Sequence, residues 1–191
     1  MEIRSFLAFE LPTQISEIVS HVCQEMRKTS LDVRWVREDH IHLTIIFMGN
    51  VLADQIENIG NSVEKLCQNY GPFTITLRGT GLFPGKRNPR VLWIGLAGDL
   101  ERMADFRDAL QQQLKVFGIR QETRPLRPHL TIARFRKGAK PSVHLEGLLS
   151  NYQNLTSPVC KLEELILFKS SLKPTGAVYS KLGQWPLSGN Q

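Results

Sequence analysis

The chain has 191 residues, 41% hydrophobic and 22% charged, with a net charge of +6, enough to build one domain or two small lobes around a core without disulfides. Its three cysteines, Cys23, Cys67 and Cys160, make no C-x-x-C pair, which argues against a disulfide framework and a cysteine-rich zinc site and leaves small buried thiols. No stretch approaches the ~18 apolar residues of a membrane span, and the apolar run Phe6–Phe9 is too short for a signal-peptide core and meets Glu10, so the cytoplasm is the expected compartment.

In chain order, Ile3–Phe9 reads as a buried strand. Thr13 is placed to cap a helix whose apolar face carries Ile15, Ile18, Val19, Val22, Cys23 and Met26. Strands follow near Val33–Val36 and over Ile41–Met48, the latter stopping at Gly49-Asn50. Ile56, Ile59, Val63 and Leu66 mark a second amphipathic helix, and Phe73, Ile75 and Leu77 alternate as a strand. Gly79 to Pro89, rich in Gly and Pro, reads as a crossover loop. Val91–Ala97 is then a strand. Asp99 can cap a helix bearing Met103, Phe106, Leu110, Leu114 and Phe117 that ends at Gly118. Leu130–Phe135 is a strand, Leu145, Leu148, Leu149 and Tyr152 a short helix, and Leu162–Phe168 and Val178–Leu182 the last strands.

The order repeats at an offset of 87 to 89 residues: Ile15 matches Met103, Ile56 matches Leu145, and His42 matches His129. Two copies are too few for a solenoid. The expected fold is therefore α+β, a bilobal internal duplication within one domain spanning residues 1–191, with repeat units at about 3–84 and 90–182. Two antiparallel sheets would flank a central cleft, with helices outside.

The halves agree best at His42-Leu43-Thr44-Ile45 and His129-Leu130-Thr131-Ile132. On a strand, residues two apart share a face, so each tetrapeptide presents a histidine and a hydroxyl to one side and aliphatic residues to the other. Two such half-sites facing across a pseudo-two-fold axis suit in-line displacement at phosphorus. One imidazole takes a proton from the attacking oxygen and the other gives one to the leaving oxygen, near neutral pH. Thr44 and Thr131 can donate to the non-bridging oxygens. This scheme needs no metal and no cofactor. Charge is concentrated as well. Between Arg120 and Lys140 lie Arg120, Arg124, Arg127, Arg134, Arg136, Lys137 and Lys140 against Glu122 alone, an excess as large as the whole chain's. Such a patch suits a polyanion.

These motifs resemble those of the two-histidine phosphoesterases, and more closely the RNA 2′,3′-cyclic phosphodiesterases formerly called 2′-5′ RNA ligases. The likeness runs through Arg4-Ser5-Phe6-Leu7-Ala8-Phe9-Glu10-Leu11-Pro12, Trp35-Val36, both tetrapeptides, Pro89-Arg90-Val91-Leu92-Trp93-Ile94-Gly95 and Ser171-Leu172-Lys173-Pro174-Thr175-Gly176-Ala177-Val178-Tyr179. It implies hydrolysis of an RNA 2′,3′-cyclic phosphate to a 2′-phosphomonoester; tRNA fragments as substrates and a monomeric protein are the accompanying expectations. By resemblance His42 would be the general acid and His129 the general base. Ligation would be the same chemistry reversed. The residues alone do not assign the two roles.

Arg127 and His40 each stand two residues before a motif histidine, so Arg127 is expected on RNA phosphate and His40 at the cleft rim. Strict alternation puts Arg134 and Phe47 on the face away from the histidines, Arg134 reaching the cleft only through a bulge. Phe47, Trp35 and Trp93 are then expected in the core, and His21 and His144 take no role. Two rival readings are a zinc hydrolase using His40, His42 and His129 and a non-catalytic RNA-binding module. A closer alternative is a phosphodiesterase acting on a small cyclic nucleotide.

Overall fold

The structure, a computed structural model, describes residues 1–138, 144–173 and 176–190. The Lys140 of the basic segment, Pro174-Thr175 and the side chain of His144 lie outside the described residues. The first half of the chain supplies β1 (Glu2–Phe9), α1 (Thr13–Arg27), β2 (Val33–Trp35), β3 (Leu43–Leu52), α2 (Ile56–Cys67) and β4 (Phe73–Phe83). The second supplies β5 (Val91–Gly98), α3 (Leu100–Leu114), β6 (His129–Phe135), α4 (His144–Asn151), β7 (Cys160–Leu162), β8 (Glu164–Lys173) and β9 (Gly176–Pro186).

Every strand pairing is antiparallel, in the order β7-β4-β5-β6-β3-β1-β8-β9, with β2 added on β6. The expected duplication is visible in β1 and β5, β3 and β6, α1 and α3. The two half-sheets meet at one residue pair, Leu43 with Leu130. The last strand of each repeat is exchanged: β4 lies beside β5, and β8 lies beside β1. Each half-sheet therefore needs both halves of the chain. A linear periodicity cannot report this, because strand pairing is decided by tertiary contact.

The apolar faces read from the sequence build the core. Ile15, Val19, Val22, Cys23 and Met26 of α1, Ile59, Val63 and Leu66 of α2, and Met103, Phe106, Leu110 and Leu114 of α3 are all buried against the core-facing residues of the strands. Burial of a large apolar side chain stabilises by about 1.5–3 kcal/mol, so these faces hold the helices to one side of the sheet. The three cysteines are free and buried, and burial pushes the Cys67 thiol up to about 12. No helix among the described residues is long and apolar enough to cross a membrane.

Several local expectations change. The strand expected to stop at Gly49-Asn50 runs through both residues as β3 to Leu52, paired with the start of β1. Thr13 is the first helical residue of α1, and the cap position belongs to Pro12. Gly79 to Phe83 are not loop but the second half of β4. Gly79, at φ 62°, sits where the β4–β5 register shifts between Leu77 and Thr80. Glycine takes this conformation at little cost and lets the strand resume.

Candidate active site

The single pair joining the half-sheets organises the site. Leu43 and Leu130 are fully buried, so their neighbours point to the opposite, open face. Antiparallel geometry carried one residue to either side sets His42 opposite Thr131 and Thr44 opposite His129. Each histidine is thus placed on the same open face as the hydroxyl of the other motif, flanking the one pair at which the two strands meet. This is the convergence of two half-sites expected from the sequence.

Each imidazole is held in the same way. The His129 Nδ1–H donates to the Arg127 carbonyl at 2.7 Å, and His42 makes a hydrogen bond to the backbone of His40. This leaves Nε2 of His129 as the nitrogen free to exchange a proton. Around His42 the rings of Phe6 (4.8 Å between centroids, 23° between planes), Tyr179 (5.4 Å, 78°) and Phe168 (6.1 Å, 25°) form a cage. Around His129 stands Phe83, edge-on at 4.9 Å. Burial, chiefly, lowers both imidazoles, His42 to about 4. The Arg134 charge lowers both further, while Glu10 acts to raise His42.

That electrostatic reach locates Arg134, and a bulge explains it. In the β5–β6 ladder Trp93 pairs with Thr131 but Leu92 pairs with Ala133, so Ile132 is an extra residue. Ile132 and Ala133 are both buried, and the alternation resumes one step late with Arg134 exposed. The β1–β3 ladder does the same: Ala8 pairs with Thr44 and Leu7 with Ile46, leaving Ile45 extra. Phe47 is thereby turned to the histidine face, where it is 70% exposed with its ring 6.1 Å from Phe6. The expectation that Phe47 is core is therefore overturned. The matched bulges place Phe47 in one half and Arg134 in the other at equivalent cleft positions.

Trp93 is a second correction. It pairs with the cleft-facing Thr131 and with Gly81, so its indole lies on the cleft face beside Phe83, 5.1 Å away. A side chain at Gly81 would strike that ring. Trp93 Nε1 is buried with no hydrogen-bond partner among the described residues. Trp35 does pack on the core as expected.

The remaining candidates disperse. The Arg127 side chain is exposed, and what the structure shows of this residue at the site is its carbonyl holding His129. Arg124 is paired with Glu122, and Arg136 with Asp32, so the basic segment is not one free patch. His40 packs on Tyr179 at 4.7 Å. Among the described residues no three His, Cys, Asp or Glu side chains converge as a metal site, so a zinc site built on His40, His42 and His129 finds no ligand set. Phe168, Tyr179 and Phe83 were not singled out from sequence as neighbours of the histidines. The offset held one clue, since Phe6 lies 87 residues before Trp93.

Comparison with known proteins bears on the family and the fold. An RNA 2′,3′-cyclic phosphodiesterase of Methanothermobacter thermautotrophicus is 31% identical over 95% of this chain and 97% of its own. One from Thermus thermophilus is 33% identical over 78% of this chain and 73% of its own. The crystal structure of TT0787 of Thermus thermophilus superposes with a TM-score of 0.83 at 25% identity, covering 99% of this chain and all of that one. The family model described as LigT like phosphoesterase matches twice, over residues 9–93 and 94–179, one copy for each histidine motif, and the chain belongs to that family.

Proposed function

We propose that the protein hydrolyses the 2′,3′-cyclic phosphate at the 3′ end of RNA to a 2′-phosphomonoester, tRNA fragments among its substrates, as a cytoplasmic monomer without a metal. The observation that carries this reading is the crossed placement of His42 with Thr131 and Thr44 with His129 about the Leu43–Leu130 pair. The printed names of the relatives, RNA 2′,3′-cyclic phosphodiesterase, supply the substrate class.

In this mechanism His129 Nε2 takes a proton from a water molecule. The water oxygen attacks phosphorus in line with the bond to O3′. That bond breaks as His42 gives its proton to the departing O3′, and phosphate stays on O2′. Thr44 and Thr131 hydroxyls donate to the non-bridging oxygens, and Arg134 balances the charge that grows there. The free site is poised for the base: burial keeps both imidazoles neutral near pH 7. The acid is charged by its substrate, because a bound phosphate anion favours imidazolium. Glu10 acts in the same direction at His42, but the neighbouring His40 and Arg134 charges oppose it, so the acid role of His42 and the base role of His129 rest on the family resemblance. With the 5′-hydroxyl of a second RNA in place of water, the same groups join ends: His129 takes the hydroxyl proton, the 5′ oxygen bonds to phosphorus, the bond to O3′ breaks as His42 protonates it, and a 2′-5′ phosphodiester results.

The test is incubation with a short RNA ending in a 2′,3′-cyclic phosphate, in the presence of EDTA, with product identification for the protein and for His42→Ala and His129→Ala. A 2′-phosphate product lost in both variants supports the reading. Turnover of small cyclic nucleotides alone, or turnover only after zinc is added, overturns it.

A further inference from the structure

Arg34 has no part in the motifs, yet its position is unusual. In the β2–β6 ladder it stands directly opposite Arg134. Val33 and Phe135, one step along, are buried in the core, so Arg34 and Arg134 share the open face that carries the histidines. Like charges directly opposite on paired strands repel. Among the described residues neither arginine has an ion pair, although Arg27, Arg37, Arg124 and Arg136 nearby in sequence or space all do. The Arg34 guanidinium also reaches the start of β9: a side-chain carbon at Gly176 would lie 3.0 Å from its Nη2. β9 belongs to the other half-sheet and carries Tyr179 of the His42 cage. Arg34 therefore spans the cleft. Its charge is not among those that shift either histidine, whereas that of Arg134 shifts both. It stands one step further from the reacting phosphorus.

Two adjacent guanidinium groups with no ion pair among the described residues, one toward the reacting phosphate and one a strand spacing beyond it, match two successive phosphates of one chain. Resting on the function proposed above, we propose that Arg34 binds the phosphodiester on the 5′ side of the terminal nucleotide, so that the site selects a polynucleotide end over a free cyclic nucleotide. A guanidinium fork suits this anion. The swapped pairing of β2 onto β6 is what delivers it.

The minimal pair of substrates is a nucleoside 2′,3′-cyclic phosphate with and without a 5′-phosphate, with a short RNA bearing the same end as the third. Arg34→Ala is expected to lose kcat/KM about tenfold more on the 5′-phosphorylated compound and the RNA than on the unphosphorylated one, with the loss in KM. Its dependence of log kcat/KM on log salt for RNA should be shallower by about one phosphate contact. Arg34→Lys should recover part of the loss. Equal loss on all three substrates, or no loss on RNA by a variant with an unchanged melting temperature, would overturn the assignment of Arg34 while leaving the hydrolysis intact. Failure of the unsubstituted protein to open any of the three would overturn the proposed function itself, and with it this subsite.

Discussion

The two half-sheets begin from the same tetrapeptide and end with different cleft walls. Around His42 the wall is aromatic: Phe6, Phe47, Phe168 and Tyr179, with His40 against the tyrosine. Around His129 it is cationic, with Arg134 and Arg34 side by side beyond Trp93 and Phe83. Equivalent positions carry the contrast, Phe47 against Arg134 after identical bulges. A duplicated fold supplies a symmetric pair of acid–base groups. An RNA end, however, has a base to one side of its phosphorus and a chain of charges to the other. On the function proposed here, divergence at a few cleft positions would let the symmetric site read both.

The largest expected effect tests what the halves share. Removing either imidazole should cost about 10²–10⁴-fold in kcat, in steady-state assays of His42→Ala and His129→Ala on a cyclic-ended RNA. A variant retaining a tenth of the activity would break the symmetric reading. Next come the threonines. Thr44→Val and Thr131→Val should each lower kcat by about 10²-fold, as loss of a charge-stabilising donor does, with KM little changed.

The walls themselves should then separate. Phe47→Ala should raise KM by roughly tenfold, within the ~1–3 kcal/mol per stacked base, and leave the salt dependence alone. Arg134→Gln should reduce both kcat and the salt slope. If Phe47→Ala changed the salt slope and Arg134→Gln did not, the division between an aromatic and a cationic wall would be wrong.

The smallest effects come from protonation. Both imidazoles are depressed in the free protein, so the alkaline limb of kcat/KM should begin below pH 6.5, while that of kcat, which reports the substrate complex, should lie higher. A kcat/KM profile flat to pH 8 would refute this. The same depression affects stability. An unfolded histidine near 6.5 binds protons that buried His42, at about 4, does not. Stability is therefore complete above about pH 6.5 and falls as pH drops toward 4, by on the order of 2 kcal/mol. Denaturant melts of the protein and of His42→Phe across this range would read it, the variant losing most of the slope.

Much of the fold and the heart of the site were legible in the residues. Helix faces followed from 3.6-residue spacing, buried strands from apolar runs, and the half-sites from the repeated tetrapeptides, because each of these is a local pattern with its own burial to satisfy. What failed were inferences that carried strict alternation through Ile45 and Ile132. A bulge adds one residue without any mark in the sequence; it moved Phe47 from an expected core position to the cleft and supplied the turn on which the cleft reading of Arg134 depended. Trp93 was misplaced for a related reason: its indole is accommodated by Gly81 on the neighbouring strand, a relation across strands that no run of residues displays.

By itself, then, the sequence determined that the chain is a duplication with two histidine–hydroxyl pairs on strands, since periodicity and identity at a fixed offset are properties of the chain. Only the tertiary structure decided that β4 and β8 exchange partners, that β2 carries Arg34 to the side of Arg134, and that one leucine pair brings the half-sites face to face. These are pairings between segments distant in sequence, chosen by how the buried faces of the strands and helices close over one core.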